Sequence, residues 1–318
     1  MRQISGYPAR PAPPRRKGCD KIERNGRRTA MLAAALWLAV GSGCNLLRLA
    51  NSSVDNADKT PKEPLVVAPS KHPFRVSQFA FLSDIELKTD QPLFGELRDL
   101  PDQVYKELQL PSSNTLIQVY LFQDREKYEH FMHIRYPDLP KRRAFFVAQP
   151  RSVGGGEDLL VYTFWGERIR EDLRHELTHA LLHSVLKDVP LWLDEGLAEY
   201  FELPPESEGI NQGHLEQLRR NGGETFKASL THLEELSQVQ QMTPAEYREA
   251  WAWVHLMLHG RPEVKAVLTG YLQQLRFNPS PGNLRPRLAS VLPEFNDALY
   301  QHLAELAKKS SSVPTAQR

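Results

Sequence analysis

Four residues in one short stretch have the types and spacing to hold a metal ion and activate a water. His175, Glu176 and His179 stand in H-E-x-x-H spacing, and Glu195 follows sixteen residues after the second histidine. On a helix, positions i and i+4 share a face one turn apart, so His175 and His179 can aim ring nitrogens at one ion. Glu176 sits about 100° further round, within reach of a metal-held water but not placed as a ligand. Catalytic zinc takes three protein ligands and keeps a fourth position open. Glu195 is the candidate third ligand, and Glu176 the candidate general base.

These residues imply a pair of helices. The second reads as 191–202, with Leu193, Leu197, Ala198 and Phe201 on one side and Glu195 and Glu199 four apart on another. Lys187-Asp188-Val189-Pro190 between the helices supplies a turn, and Pro190 suits the start of the second helix. Such a hairpin can bring Glu195 back to face the two histidines.

The two runs His175-Glu176-Leu177-Thr178-His179 and Trp192-Leu193-Asp194-Glu195-Gly196-Leu197-Ala198-Glu199-Tyr200 resemble the gluzincin metallopeptidases. That clan holds thermolysin and the aminopeptidase N family, and the closest likeness is to bacterial peptidase MA-like domains. The resemblance implies one Zn²⁺ per chain, held by His175, His179 and Glu195, with Glu176 as general base. It also implies that Asp194 and Glu199 hold the other ring nitrogens of the ligand histidines, as a ligand imidazole requires; the alternative is a solvated acidic face. A metzincin site is excluded, because the positions for its glycine and third histidine hold Leu182 and Val185. His183 reads as a helix-face residue at the edge of the site.

Two further features follow from the resemblance. Tyr247 begins a segment similar to the aminopeptidase helix whose Tyr-x-x-Gly tyrosine stabilises the oxyanion, with Ala250 in place of the glycine. Tyr247 is therefore the candidate electrophile, His255 its substitute, and core packing the competing role for the tyrosine. Gluzincins also place a substrate-pairing edge strand before the zinc helix, and residues 159–164 stand there; an internal strand is the alternative. The aminopeptidase Gly-x-Met-Glu-Asn motif is absent, which favours an endopeptidase.

The elements that must position these residues are legible in order. Residues 74–81 read as a strand, 93–108 as a helix and 115–122 as a strand. Asp124 caps a helix over 125–136, and 144–147 and 159–165 read as strands either side of three glycines. The metal-binding helix opens near 167. After Leu203-Pro204-Pro205, helices are expected over 214–220, 230–237, 244–259, 262–275 and 293–307. The fold expected is α+β and zincin-like: a small mixed sheet with a zinc-binding helix pair, then a mainly helical C-terminal subdomain. The corresponding divisions are a signal peptide at 1–43, a tether at 44–72, an α/β catalytic subdomain at 73–209, a helical subdomain at 210–307 and a disordered tail at 308–318.

The first 43 residues carry nine Lys and Arg against Asp20 and Glu23, and end in an apolar run from Met31 to Gly43. That run is too short to span a bilayer and has the make-up of a signal peptide. Gly41-Ser42-Gly43-Cys44 resembles a bacterial lipobox, which implies lipidation at Cys44, although Gly41 replaces the usual aliphatic residue. The expected location is the cell envelope, anchored to the membrane through Cys44, or secreted if the cysteine is not lipidated. Beyond residue 43 the chain holds 31 Lys and Arg against 37 Asp and Glu, so no basic surface points to nucleic acid. Cys44 is then the sole cysteine, and stability must come from core burial.

The expected function is zinc-dependent hydrolysis of a peptide or protein substrate. Two rivals are a binding or scaffold protein that keeps the fold without turnover, and an amidase acting on cell-wall peptides.

Overall fold

A computed structural model describes residues 67–151, 155–220 and 226–312, which belong to one compact unit. The fold is α+β. Five strands form one mixed sheet in the order β1-β2-β3-β5-β4: β1 (His72–Val76), β2 (Phe79–Ser83), β3 (Ile117–Phe122), β4 (Ala144–Pro150) and β5 (Glu157–Phe164). The two inner pairings, β2 with β3 and β3 with β5, are parallel, and the outer two are antiparallel.

Period-two alternation along the strands divides the interior in two. Val119 and Leu121 of β3, Val161 of β5 and Phe146 of β4 join the main core. Phe122, Leu160, Tyr162, Phe145 and Val147 face a smaller one under α2 (Arg125–Arg135). Helices α1 (Pro92–Glu107) and α3 (Ile169–His183) cover the main-core side.

Two expectations about strands are corrected. The single strand expected over 74–81 is a hairpin: Ser77 takes a left-handed φ of 51°, and Val76 pairs with Phe79. An uninterrupted apolar pattern does not reveal such a reversal. Residues 159–164 do not form the sheet edge either. β5 is internal, because β4 pairs along it from Ala144 opposite Thr163 to Pro150 opposite Glu157. Gly155 and Gly156, at φ 69° and 82°, precede β5 in the connection. The edge strand beside α3 is therefore β4.

The remaining helices are α4 (Leu191–Phe201), α5 (Gln212–Arg220), α6 (Leu230–Glu235), α7 (Pro244–His259), α8 (Pro262–Leu275), α9 (Arg285–Val291) and α10 (Phe295–Ser312). The Asp124 cap on α2 forms as expected, and α7 adds a capping box that was not anticipated. Asp124 accepts from the Lys127 amide at 2.9 Å, and Thr243 with Glu246 closes a capping box on α7. The short α9 was not anticipated, since its Arg-Pro-Arg opening has no apolar periodicity beyond Leu288. α10 continues to Ser312, past the expected end at 307 and into the expected tail. Expectations for residues 1–66, including Cys44 and its lipidation, lie outside the described residues.

One core runs through the helices that follow the sheet, and α4 and α7 share its most extensive helix contact. Their backbones approach closely at Gly196, where a Cβ would lie 2.7 Å from the Ala250 carbonyl oxygen. Beyond this contact, His255 Nδ1 lies 2.8 Å from His302 Nε2 of α10, the His255 and His259 rings stack at 4.4 Å, and the Tyr200 hydroxyl lies 2.7 Å from His259 Nε2.

Burial, assisted by the neighbouring histidines, pushes His255 down to about 3 and His302 down to about 4. Both are neutral in the fold and take up protons on unfolding, so the unfolded chain binds more protons below an ordinary histidine value of about 6.5. Their contribution to stability is complete above that value and is lost as pH falls toward the folded values. The urea midpoint is expected to fall between pH 7 and pH 4.5, and His302→Gln is expected to flatten that slope. Superimposable pH profiles for the two chains would remove these histidines as the cause.

Candidate metal centre

Helix α3 presents His175 and His179 side by side, with ring centroids 5.0 Å apart. Helix α4 returns antiparallel after the Pro190 turn and brings Glu195 onto them. One oxygen, Glu195 Oε2, lies 3.4 Å from His175 Nε2 and 3.5 Å from His179 Nε2. The three side chains each offer a ligand atom, all within 4.8 Å of one another.

The donor set fits a cation. Glu195 is fully buried and His179 nearly so, yet both Glu195 oxygens and His179 Nε2 lack a hydrogen-bond partner. Leaving such groups buried and unsatisfied is costly. The surrounding charge points the same way. Burial alone would raise the Glu195 carboxyl, but the His175 and His179 rings close beside it outweigh burial and hold it below the usual carboxylate range. Burial alone would lower His179, but Asp194 and then Glu195 lift it to about 9. Burial also opposes charge on His175, yet Glu195, Glu202 and Glu176 raise it well above the ordinary value. The carboxylates around the two rings favour positive charge there, and a divalent ion between these three side chains would satisfy the same field.

The outer nitrogens of both histidines meet carboxylates. His179 Nδ1 lies 3.1 Å from Asp194 Oδ1, and His175 Nδ1 lies 3.2 Å from Glu202 Oε2. This arrangement favours a proton on each Nδ1 and turns both Nε2 lone pairs toward Glu195. Asp194 thus stands where the sequence places it, and its second oxygen also meets His183 Nε2 at 3.0 Å. Glu199 does not hold a ligand histidine as expected. Its carboxylate pairs with His214 Nε2 of α5 at 2.8 Å, with an oxygen within 4.8 Å of a His175 nitrogen.

Glu202 occupies the place expected for Glu199. It closes α4 two turns after Glu195, and Arg174 fixes that end: the buried guanidinium donates to the Glu202 and Leu203 carbonyls at 3.2 and 2.7 Å. The i, i+4, i+7 series of Glu195, Glu199 and Glu202 is the sequence signal that could have revealed it. Asp194→Ala is expected to weaken zinc binding about 10- to 100-fold, whereas Glu199→Ala leaves it nearly unchanged. Competition with a chromophoric chelator reads both, and equal losses in the two variants would contradict the assignment.

Glu176 and Tyr247 line one cleft of about 480 Å³ together with His175 and Glu202. Glu176 is buried, with Oε2 lacking a partner. The Tyr247 hydroxyl, in the first turn of α7, accepts a hydrogen bond from Arg142. Burial, followed by the charge of Glu195, raises the Tyr247 phenol and keeps it protonated. His255, the substitute electrophile, does not line this cleft; it packs between Tyr200 and α10.

Sequence reading passed over Arg142. It lies in the run Lys141-Arg142-Arg143 before β4, which reads as a solvated basic cluster. In the structure Arg142 Nη1 reaches to 3.8 Å from Glu195 Oε1, while Arg143 pairs with Asp172 of α3 at 2.8 Å and ties the start of β4 to the helix carrying the histidines.

Residues 171–275 match the model of a family described as a protein of unknown function (DUF1570). The matched span begins at Glu171 on α3 and ends at Leu275, the end of α8, so it takes in both histidines, Glu195 and Tyr247. No curated protein and no solved structure matches the chain.

Proposed function

We propose that the chain is a zinc-dependent peptidase of the gluzincin type, with a zincin-like arrangement of sheet and helix pair, and that it acts as an endopeptidase. One observation carries the reading. His175, His179 and Glu195 bring their ligand atoms within 4.8 Å of one another, those of His179 and Glu195 buried and unpartnered, and His175 and Glu176 line one cleft.

His175, His179 and Glu195 would hold a zinc ion, which would supply Lewis acidity and lower the pKa of water. Glu176 accepts the proton of the attacking water at its carboxylate and delivers it to the leaving amine nitrogen. The Tyr247 hydroxyl, kept protonated by burial, donates to the oxygen on which charge develops. Asp194 and Glu202 hold the ligand rings in orientation. Edge strand β4 offers its free side to an extended peptide by strand addition. The run from Met31 to Cys44 supports export and a lipid anchor at the cell envelope.

The test mixes the zinc-loaded chain with a diverse peptide library and reads cut sites by mass spectrometry. Cuts that disappear on chelation and return with zinc support the reading. A chain that binds one zinc and cuts nothing in the library overturns it in favour of a binding protein.

A further inference from the structure

Two arginines on the cleft wall, Arg248 and Arg142, lack a counter-charge of their own, whereas Arg143 pairs with Asp172. Arg248 follows Tyr247 in the first turn of α7 and lines the cleft. Its Nε is shut off from water without a hydrogen-bond partner, and it makes no ion pair among the described residues. Arg142 lines the same cleft from the start of β4, between Glu195 and the Tyr247 hydroxyl. Once Glu195 serves as a metal ligand its charge is committed, and Arg142 keeps the neutral phenol and the charge of Glu176, which lies beyond ion-pair distance.

Three of the acids on the wall are already taken: Asp172 by Arg143, Glu199 by His214 and Glu202 by His175. Glu171 and Glu176 are the exceptions, each with one buried oxygen unpartnered. A guanidinium presents planar N–H donors that match a carboxylate, and a buried donor without an acceptor is costly until a ligand supplies one.

We propose that Arg248 and Arg142 form an anion subsite that selects peptides carrying a carboxylate close to the scissile bond. The proposal rests on the peptidase reading and names its substrate class. The carboxylate belongs either to an acidic side chain or to a free chain end, and both meet the same guanidinium geometry.

The test uses the full zinc-loaded chain with Glu176→Gln, which binds without turnover. Four dansylated hexapeptides share one apolar sequence. Three are blocked at the C-terminus and carry a central Glu, Gln or Lys; the fourth carries Gln and a free C-terminal carboxylate. Fluorescence anisotropy reads affinity. One carboxylate probe is expected to bind about ten-fold tighter than the blocked Gln probe, and which one does so identifies the source. Adding Arg248→Met is expected to erase the difference, Arg248→Lys to keep part of it, and Arg248→Glu to turn the preference toward the Lys probe. A misfolded chain cannot reverse a preference.

If the blocked Gln probe binds as well as both carboxylate probes, or the Lys probe binds best through Glu171, the subsite is overturned while the peptide site stands. If no probe binds, the peptide site falls with it.

Discussion

Replacing Glu176 by Gln is expected to lower peptide turnover by about 10³-fold, within the usual range for loss of a general base, while zinc content stays at one ion per chain. The separation between these readouts follows from geometry. His175, His179 and Glu195 bring ligand atoms together, whereas Glu176 lines the cleft and is not among the residues whose ligand atoms could share an ion. Gln keeps the shape and removes the capacity to take a proton. KM is expected to change little, because the role proposed for Glu176 is on the attacking water and not on the peptide. Turnover and metal content measured on one preparation check this. A Gln variant that cuts at the wild-type rate would remove Glu176 as the base, and one that loses zinc would show that it supports the ion.

Gly196→Ala is expected to destabilise the fold by about 2 kcal/mol, the cost of overpacking reduced by the better helix propensity of alanine. The new Cβ would stand 2.7 Å from the Ala250 carbonyl oxygen and 2.9 Å from a Val254 methyl. Backbone cannot swing aside as a long side chain can, so α7 must shift as a unit. Gly196 adjoins Glu195, and α7 carries Tyr247 and Arg248, so the same substitution should weaken zinc binding and peptide turnover together. Gly270→Ala in α8 serves as the internal control. Its Cβ meets nothing within 4 Å, and it should stabilise the fold by about 0.5–1 kcal/mol through propensity alone. Urea unfolding of the two variants distinguishes close packing from an ordinary helical glycine. If Gly196→Ala proves as stable as Gly270→Ala, α4 and α7 are not held in the contact described.

What could be read without coordinates was local. The placement of His175 and His179 on one face follows from helical geometry wherever the helix lies. The same holds for the Pro190 turn and the Asp124 cap, each set by neighbours a few residues away. Even α7 and α8 begin and end where apolar periodicity and the two prolines put them. Asp194 was expected beside a ligand histidine only through the resemblance, and the structure sets it 3.1 Å from His179 Nδ1.

What depends on elements distant in the chain could not be read. Nothing in residues 159–164 says that β4 will cover their outer side; an apolar β-branched run looks alike at an edge and inside a sheet. Glu199 and Glu202 share a helix face, and the choice between them as partner of His175 rests on His214 from α5 drawing Glu199 away and Arg174 from α3 fixing the end of α4. Arg142 stands 53 residues before Glu195 in the chain, and only the pairing of β4 on β5 with the packing of α3 against both brings it to the site. Sequence alone determined the chemistry a single helix can display. Tertiary structure decided which charges meet across helices and strands, because those meetings depend on how distant elements pack and not on the period of any one of them.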